Sequence, residues 1–565
     1  MIEKRWTLLP SPDPHITTQL AKAININKIL AGILVQRNIK DFNTAKYFFR
    51  PSLKHLYDPF LMKGMNVAVK RILAAINNKE KILIYGDYDV DGTTAVSLLY
   101  HYLRQHYPNV EYYIPDRYNE GYGVSQKGID YAINHEINLV ITLDCGIKAQ
   151  RMVDYGNQHG LNFIICDHHL PGSEVPEAIA VLDPKQHDCD YPFKELSGCG
   201  IAFKLIQGLS QHIDSEIDVN NYLDLVAVSI ASDIVPIIDE NRTLAYHGLK
   251  LLNNNPRPGL KALIRSAGLA HVDIAGIVFG IGPRINASGR IDHAYGSVEL
   301  LLAAHIDHAF ELLEPVNEHN LTRKNFDSTI TEEAIKMIEN DPELLGAKST
   351  VLFKNNWHKG VIGIVASRCI EKYYRPTIIL TEHENVVTGS ARSVDGFNLY
   401  EALSECADLL DKYGGHQYAA GLSLSVENVK AFRKKFEQVV ASRILKDQLI
   451  PQIKIDSKIK IDRINAKFYN ILKQFGPCGP HNMEPVFVAE NLVCKGEPKV
   501  LKEQHLKIFV RQQGSGYAME AIGFGLGYLA PKLKKKQFKM AFNIELNGHN
   551  GMNYLQLNIK DVKIE

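Results

Sequence analysis

Five short apolar runs recur between residues 81 and 184: KILIYGD (81–87), NVEYYIPD (109–116), NLVITLDCG (138–146), LNFIICDHH (161–169) and AIAVLDP (178–184). Each is too short for a helix and continuous rather than alternating, which is how strands covered on both faces read. The segments between them, such as TTAVSLLYHYLRQHY (93–107), carry apolar residues at helical spacing. Strand–helix alternation of this kind predicts a parallel, doubly wound α/β sheet. Ligands of such sheets lie beyond the carboxyl ends of the strands.

The polar residues of this stretch fall at those ends. Asp87, Asp89 and Asp91 close the first run, Asp144 the third, and Asp167, His168 and His169 the fourth; a helical segment, YLDLVAVSIASDIVP, then delivers Asp233. Taken singly these residues have plain explanations. An aspartate run suits a helix N-terminus, as Asp91 before GTTAV would, and a lone histidine is most often a satisfied polar residue. Taken together they do not. Two like charges 4 Å apart cost about 4 kcal/mol at an effective dielectric of 20, so a cluster of carboxylates is tolerable only with cations. Carboxylates mixed with imidazole suit Mn²⁺ or Mg²⁺ better than soft, thiolate-bound metals. Two such ions about 3.5–4 Å apart activate a water and clamp a phosphoryl group, the chemistry of phosphoester hydrolysis. Cys145 and Cys166 read as core residues.

A chain of 565 residues is too long for one core. Residues 296 to 340 read as a helical spacer that Pro315 is expected to kink or divide. A smaller α/β unit follows, with strands near TVLFKN (350–355), PTIILTE (376–382) and NVVTGSARS (385–393) and a Gly-rich stretch at 411–423. From 451 short alternating runs, QIKIDSKIKI, HLKIFVRQ and NYLQLNIKDVKI, predict a small β-barrel. The expected division is an N-terminal segment (1–45), a first domain (46–290), a connecting helix (291–345), a second domain (346–448) and the barrel (449–565).

Charge separates along the same line. Residues 451–565 hold 18 Lys+Arg against 10 Asp+Glu, and the first 450 hold 46 against 53. An acidic front and a basic tail suggest metal binding in one part and polyanion binding in the other. The lysine run PKLKKKQFK (531–539) is in the basic part, although such runs are usually solvated faces. The eight cysteines form no C-x-x-C pair, which argues against a zinc site or disulfide framework and for a reduced, cytoplasmic setting. MIEKRWTLLPSPDP has no apolar core of a signal peptide, and no run of 18 apolar residues predicts a membrane span.

GDYDVDG (86–92), LDCG (143–146), CDHH (166–169) and ASDIVP (231–236), in that order, resemble the signature set of the DHH phosphoesterase superfamily. GPRINASGRID (282–292), GIVASR (363–368), GSARS (389–393) and YGGHQYAAG (413–421) extend the resemblance to the RecJ family of single-strand-specific 5′→3′ DNA exonucleases, from about residue 45 to the C-terminus. The resemblance implies a DHH catalytic domain, a linker helix, a DHHA1 domain and a C-terminal OB-like barrel. It also implies two Mn²⁺ or Mg²⁺ ions, with Asp89, Asp91, Asp144, His168 and Asp233 as ligands and Asp144 as the bridge. His169 would face the scissile phosphate and Asp87 would orient its neighbours. One position departs from the superfamily pattern: Tyr85 stands where a histidine ligand is usual.

Arg117 reads either as a surface ion pair or as a phosphate fork. Ser390 and Arg392, at i and i+2 on a strand, share a face. With Arg117 they are expected to hold the 5′-phosphate and so set polarity. Arg284 and Asn286 either contact substrate or lock the spacer helix, and Arg368 is open in the same way. Gly414 and Gly415 permit close backbone approach to a ligand or simply form a turn; His416 is positioned to donate to a phosphate or base. In the barrel Phe509, Tyr517, Phe524, Phe538 and Tyr554 are candidate stackers for bases, several of them equally suited to the core.

The function these features imply is metal-dependent 5′→3′ hydrolysis of single-stranded DNA in repair and recombination, by a monomer. A single-strand-binding protein and a DNA helicase are expected partners by family analogy. The alternative within the superfamily is a phosphodiesterase for short oligonucleotides or cyclic dinucleotides, which would not need the basic barrel. A non-catalytic single-strand-binding protein is disfavoured, because an unused carboxylate cluster is costly.

Overall fold

In the computed structural model each of the five apolar runs is a strand: β1 (Ile82–Gly86), β2 (Val110–Tyr113), β3 (Leu139–Leu143), β4 (Asn162–Cys166) and β5 (Ala180–Leu182). The structure describes residues 3–214, 216–383, 386–549 and 552–565, and of 549 and 552 the backbone alone. The five strands pair in parallel in the order β2–β1–β3–β4–β5. The order reverses between β1 and β3, so the carboxyl ends of these two strands flank the switch-point crevice of a doubly wound sheet.

Alternate strand residues enter two different cores, as a sheet covered on both faces requires. Ile82, Ile84, Leu139, Ile141 and Ile164 belong to one core, while Leu83, Tyr85, Val140, Phe163 and Ile165 belong to the other. On the first face lie α1 (Val90–His106), α2 (Gly198–Leu209) and α3 (Leu223–Ser232), packed on one another. The chain divides into two units: Lys46–Thr322 with Gln474–Met483, and Met1–Ala45 with Arg323–Lys473 and Glu484–Glu565. The first unit contains this sheet and a later helix, α4 (Gly282–Ile291).

The predicted spacer departs from expectation. Its first part, Tyr295–Leu302, is a separate helix, and Ala303 turns to extended backbone (φ −54°, ψ 124°). From there α5 (Ile306–Glu339) runs for 34 residues and is not divided at Pro315. The break therefore falls before the proline. Proline removes one amide bond to the carbonyl four residues back, which a helix of this length absorbs.

In the second unit β6 (Thr350–Phe353), β7 (Thr377–His383), β8 (Val386–Arg392), β9 (Lys412–Gly415) and β10 (Ala419–Leu424) form a sheet in the order β9–β10–β8–β7–β6. Only β6 and β7 run parallel. The three runs read from the sequence are strands here; Asn385, the expected start of the third, lies outside the described residues. The Gly-rich stretch supplies the two further strands. Helix α6 (Ile362–Lys372) packs on β7 and β8.

The C-terminal barrel is built from β11 (Phe487–Cys494), β12 (His505–Gln512), β13 (Ala518–Gly523), β14 (Phe538–His549) and β15 (Met552–Ile564). It closes because β11 pairs with both β12 and β14, while β13 and β15 form the single parallel contact of the ring. This is a five-stranded Greek-key barrel of the OB type. One expected strand is not part of it: Gln452–Ile455 pairs in parallel with Arg5–Leu8, and only Ser457–Lys458 reaches β11. Alternation showed a strand, but its partner is at the far end of the sequence. Of the proposed stackers Phe538 is fully buried, whereas Phe509, Tyr517 and Phe524 are exposed. Among the described residues no helix is long and apolar enough to cross a membrane.

Candidate metal centre

The acidic residues meet where β1 and β3 end. Asp89 is the N-cap of α1, its side chain accepting from the Gly92 amide at 3.1 Å. The cap predicted for Asp91 is thus made by Asp89. Asp91, in the first turn of α1, is buried and accepts from the Gly198 and Cys199 amides (2.7 and 2.8 Å) and the Ser229 hydroxyl (2.7 Å). The start of α2 and the body of α3 therefore fix its carboxylate. Gly198 is required by proximity: a Cβ there would sit 2.7 Å from that of Asp144. Asp144 ends β3 in the left-handed region (φ +60°), which aspartate tolerates better than most residues. Asp233 is the C-cap of α3.

These groups form three sets of potential ligands with ligand atoms within 4.8 Å of one another: Asp144–His168–His169, Asp91–His168–Asp233, and Asp87–Asp89–Asp144. Asp144 and His168 each belong to two sets. His168 Nε2 lies 3.1 Å from Asp144 Oδ1, 3.6 Å from Asp233 Oδ2 and 3.7 Å from Asp91 Oδ2. Among the described residues no lysine or arginine lies within ion-pair distance of Asp87, Asp89, Asp91, Asp144 or Asp233.

Several of these atoms are buried yet make no hydrogen bond: both oxygens of Asp87, Oδ1 of Asp144 and both ring nitrogens of His168. The 3.1 Å approach of His168 to Asp144 has the separation of a hydrogen bond but not its geometry. Leaving one buried polar group unmade costs about 1–3 kcal/mol, more for a charge. Protons partly offset this. Burial, then the charge of Asp89, pushes Asp87 far above the usual carboxylate range, with Arg117 acting the other way. Burial and the neighbouring Asp91, Asp89, Asp233 and Asp87 do the same to Asp144. Burial and Asp91 raise Asp233, and burial lowers His168. An oxygen-rich donor set with imidazole, crowded and unpartnered, fits Mn²⁺ or Mg²⁺.

Asp167 stands apart from this set. Its Oδ1 accepts from the His168 and His169 amides (2.8 and 3.1 Å) and from His169 Nδ1 (2.7 Å), and Oδ2 from the Ile147 amide (2.9 Å). Burial opposes its charge, but these donors hold the carboxyl below its ordinary value. Burial likewise opposes charge on His169, and the bond to Asp167 with the surrounding carboxylates outweighs it, so His169 is more basic than usual. Its ring is partly exposed.

The proposed phosphate contacts fall in both units. In the first, Arg117 donates from Nε to the Gly289 carbonyl (2.9 Å) and lies over the Tyr88 ring at 4.0 Å. Arg284 donates to the Gly280 and Ser266 carbonyls (2.6 and 3.0 Å), while the neighbouring Asn286 Oδ1 is buried without a hydrogen bond. In the second, Arg392 Nη1 reaches Ser390 Oγ (3.2 Å) and the Ala391 carbonyl (2.8 Å). Gly363, in the first turn of α6, lies against this pair: a Cβ there would be 2.8 Å from Ser390 Oγ and 3.0 Å from Arg392 Nη2. Arg368, half-exposed, bonds Glu371 at 3.1 Å. Gly414 and Gly415 close β9, and His416 begins the turn to β10, all exposed.

Three participants were not singled out from the sequence. Asp183 ends β5 and is buried, with Oδ2 unpartnered and its carboxyl pushed up to about 7 by burial; its strand-end position was the available signal. Tyr122 reaches Asp144 and His169 from a Gly-Tyr-Gly segment. Gly363 begins the GIVASR motif, but its close approach to Ser390 and Arg392 is visible only in the packing.

Comparison with known proteins places these features in one context. Residues 81–230 match the DHH family N-terminal domain, 346–442 the DHHA1 domain and 455–561 the RecJ OB domain. The chain is 36% identical to the single-stranded-DNA-specific exonuclease RecJ of Bacillus subtilis, over 99% of this chain and 71% of that protein. It is 32% identical to the RecJ exonuclease of Haemophilus influenzae, over 90% and 92% respectively. The crystal structure of RecJ in complex with Mn²⁺ from Thermus thermophilus superposes with a TM-score of 0.85 at 26% identity, covering 99% of this chain and 79% of that one. A second structure, exonuclease RecJ bound to manganese, gives a TM-score of 0.60 at 30% identity, over 70% and 98%.

Proposed function

The chain belongs to the RecJ family of single-stranded-DNA-specific exonucleases, and from that premise we propose that it removes nucleotides from the 5′ end of single-stranded DNA by two-metal hydrolysis, in DNA repair and recombination. The observation that carries this reading is the set of buried, unpartnered oxygens of Asp87 and Asp144 gathered with His168 at the switch point of the sheet. Asp89, Asp91, Asp144, His168 and Asp233 would hold two Mn²⁺ or Mg²⁺ ions, with Asp144, shared between two ligand sets, as the bridge. When bound, the ions supply Lewis-acid polarisation of the phosphodiester and lower the pKa of a water.

The chain's own residues do the rest. Asp167 holds His169 by Nδ1, which leaves the other ring nitrogen to donate to charge developing on the phosphate. Asp87 orients the neighbouring carboxylates. Arg117, flattened on Tyr88 with Nε engaged, presents its terminal nitrogens to a backbone phosphate. Ser390 and Arg392, with the first turn of α6, take the 5′-phosphate and set polarity. Arg284 acts as a lock on the turn before α4, and Asn286 and Arg368 contact the strand. Gly414, Gly415 and His416 offer an exposed edge for backbone contact. The barrel guides the single strand by its lysines and by Phe509, Tyr517 and Phe524.

The catalytic domain is taken as 46–290, the connecting helix as 291–345, the DHHA1 domain as 346–448 and the barrel as 449–565, after an N-terminal segment of 45 residues. The enzyme acts as a cytoplasmic monomer, beside a helicase and a single-strand-binding protein that supply its substrate. The test is to incubate 5′-labelled single- and double-stranded DNA, short RNA and a cyclic dinucleotide with the protein in Mn²⁺, with and without EDTA. Metal-dependent digestion of long single strands from the 5′ end is the expected result; cleavage confined to short or cyclic substrates would overturn it.

A further inference from the structure

Tyr85, the one departure from the superfamily pattern, is fully buried in β1 and faces away from the carboxylates into the other core. Its hydroxyl accepts from the Ser125 amide at 3.0 Å and donates to the Gly123 carbonyl at 3.1 Å. Its ring stacks on that of Tyr113, 5.3 Å between centroids. The backbone it grips is unusual. Gly121 and Gly123 both take positive φ (+84° and +87°), a conformation that glycine adopts without steric penalty. Between them stands Tyr122.

The Tyr122 hydroxyl donates to the Asp144 carbonyl at 2.9 Å. The same oxygen lies 3.2 Å from His169 Nε2 and 3.3 Å from Nδ1. Near-equal distances put it in line with neither N–H, so it buttresses the imidazole without capturing the Nε2 proton. The Tyr122 ring also meets Tyr88 edge-on, at 6.4 Å. Asp144 and His169 both need such support. Asp144 holds a left-handed backbone, which persists only where its surroundings fix it. The His169 ring makes one hydrogen bond of good geometry, donated from Nδ1 to Asp167, and a ring pinned at one atom can still swing.

We propose that Tyr85 and Tyr122 are a pair of positioning residues: Tyr85 anchors the 121–125 segment, and through it Tyr122 holds the Asp144 backbone and the His169 ring in the arrangement the reaction uses. The tyrosine at position 85 has exchanged a ligand's role for a buttress. This inference rests on the nuclease reading for its kinetic consequence, while its structural half stands without it. It does not require Tyr122 to touch substrate or metal.

The experiment compares Tyr85→Phe, Tyr122→Phe and the double variant, each keeping ring volume. On 5′-phosphorylated single-stranded DNA in Mn²⁺, Tyr122→Phe should lower kcat about tenfold, the scale of one net hydrogen bond, with KM, Mn²⁺ affinity and melting temperature unchanged. Tyr85→Phe should lower kcat in the same direction and speed hydrogen exchange at the Gly123 and Ser125 amides. Acting on one path, the double variant should be no slower than the slower single. Wild-type kcat in Tyr122→Phe, multiplicative losses in the double variant, or unchanged exchange in Tyr85→Phe would each overturn the proposal. A wild-type protein that cleaves no single strand would instead overturn the nuclease reading, and the exchange measurement would still decide the anchor.

Discussion

The first and second sheets carry opposite kinds of unpartnered charge. At the carboxyl end of the first, five aspartates gather beside His168, which lies within ion-pair distance of three of them; among the described residues no lysine or arginine comes as close, and several of their atoms have no hydrogen bond. On β8 of the second, Arg392 is shielded from water, which disfavours its charged form, yet its Nη1 donates to a neutral hydroxyl and a carbonyl. Proteins rarely keep buried ions without a counter-charge. The first arrangement asks for cations and the second for an anion. The lesson is that sign and missing partners, more than residue type, distinguish the two sites.

The comparison breaks most visibly at Asp144. Asp144→Asn keeps shape but removes the carboxylate shared by two ligand sets, and single-turnover cleavage should fall by at least about a thousandfold, as for loss of a metal-ion catalyst that supplies several kcal/mol. Cleavage within tenfold of wild type would remove Asp144 from the centre of the account. Next comes the anion side. Arg392→Ala should abolish discrimination between 5′-phosphorylated and 5′-hydroxyl oligonucleotides, a loss of about 10–100-fold for one charged hydrogen-bonding group, and leave Mn²⁺ binding untouched. An unchanged preference would detach the second sheet from the 5′ end.

How much of this was legible follows from which interactions are local. All five strands of the first sheet and the strand-end positions of Asp87, Asp89, Asp144 and His168 could be read directly, because a buried parallel strand writes itself as a continuous apolar run and the polar residues of a binding crevice follow at its end, while Asp233 was legible as the end of an apolar helix. The barrel was legible as alternation, but the parallel partner of Gln452–Ile455 was not, since strand pairing across the whole chain leaves no local trace. Pro315 does not divide the helix, because one lost amide bond is a small part of a 34-residue run. The left-handed Asp144 and the close approach of Gly363 to Arg392 are products of packing. Asp183 was missed although it obeys the same strand-end rule as its neighbours, and burial pushes its carboxyl up to about 7.

Asp183 also gives the smallest and most specific prediction. Its folded value of about 7 lies above the ordinary 3.8, so the protonated acid favours the fold at low pH and that contribution is lost as pH rises through about 7. Asp183→Asn mimics the protonated form. Its stability advantage over wild type should therefore grow between about pH 4 and 7 and level off above, reaching about 1–3 kcal/mol, while cleavage changes little. Melting curves at pH 5 and pH 8 that show the same difference would contradict the assignment.

The central claim is that buried acids distant in sequence are neutralised by paired divalent ions. Titration calorimetry of the metal-free protein with Mn²⁺ at neutral pH tests it most directly. The account predicts uptake of two ions per chain by the wild type, reduced in Asp144→Asn, with protons released as each ion binds because the raised carboxyls must ionise. Absence of Mn²⁺ uptake, or equal uptake by the wild type and Asp144→Asn, would contradict it.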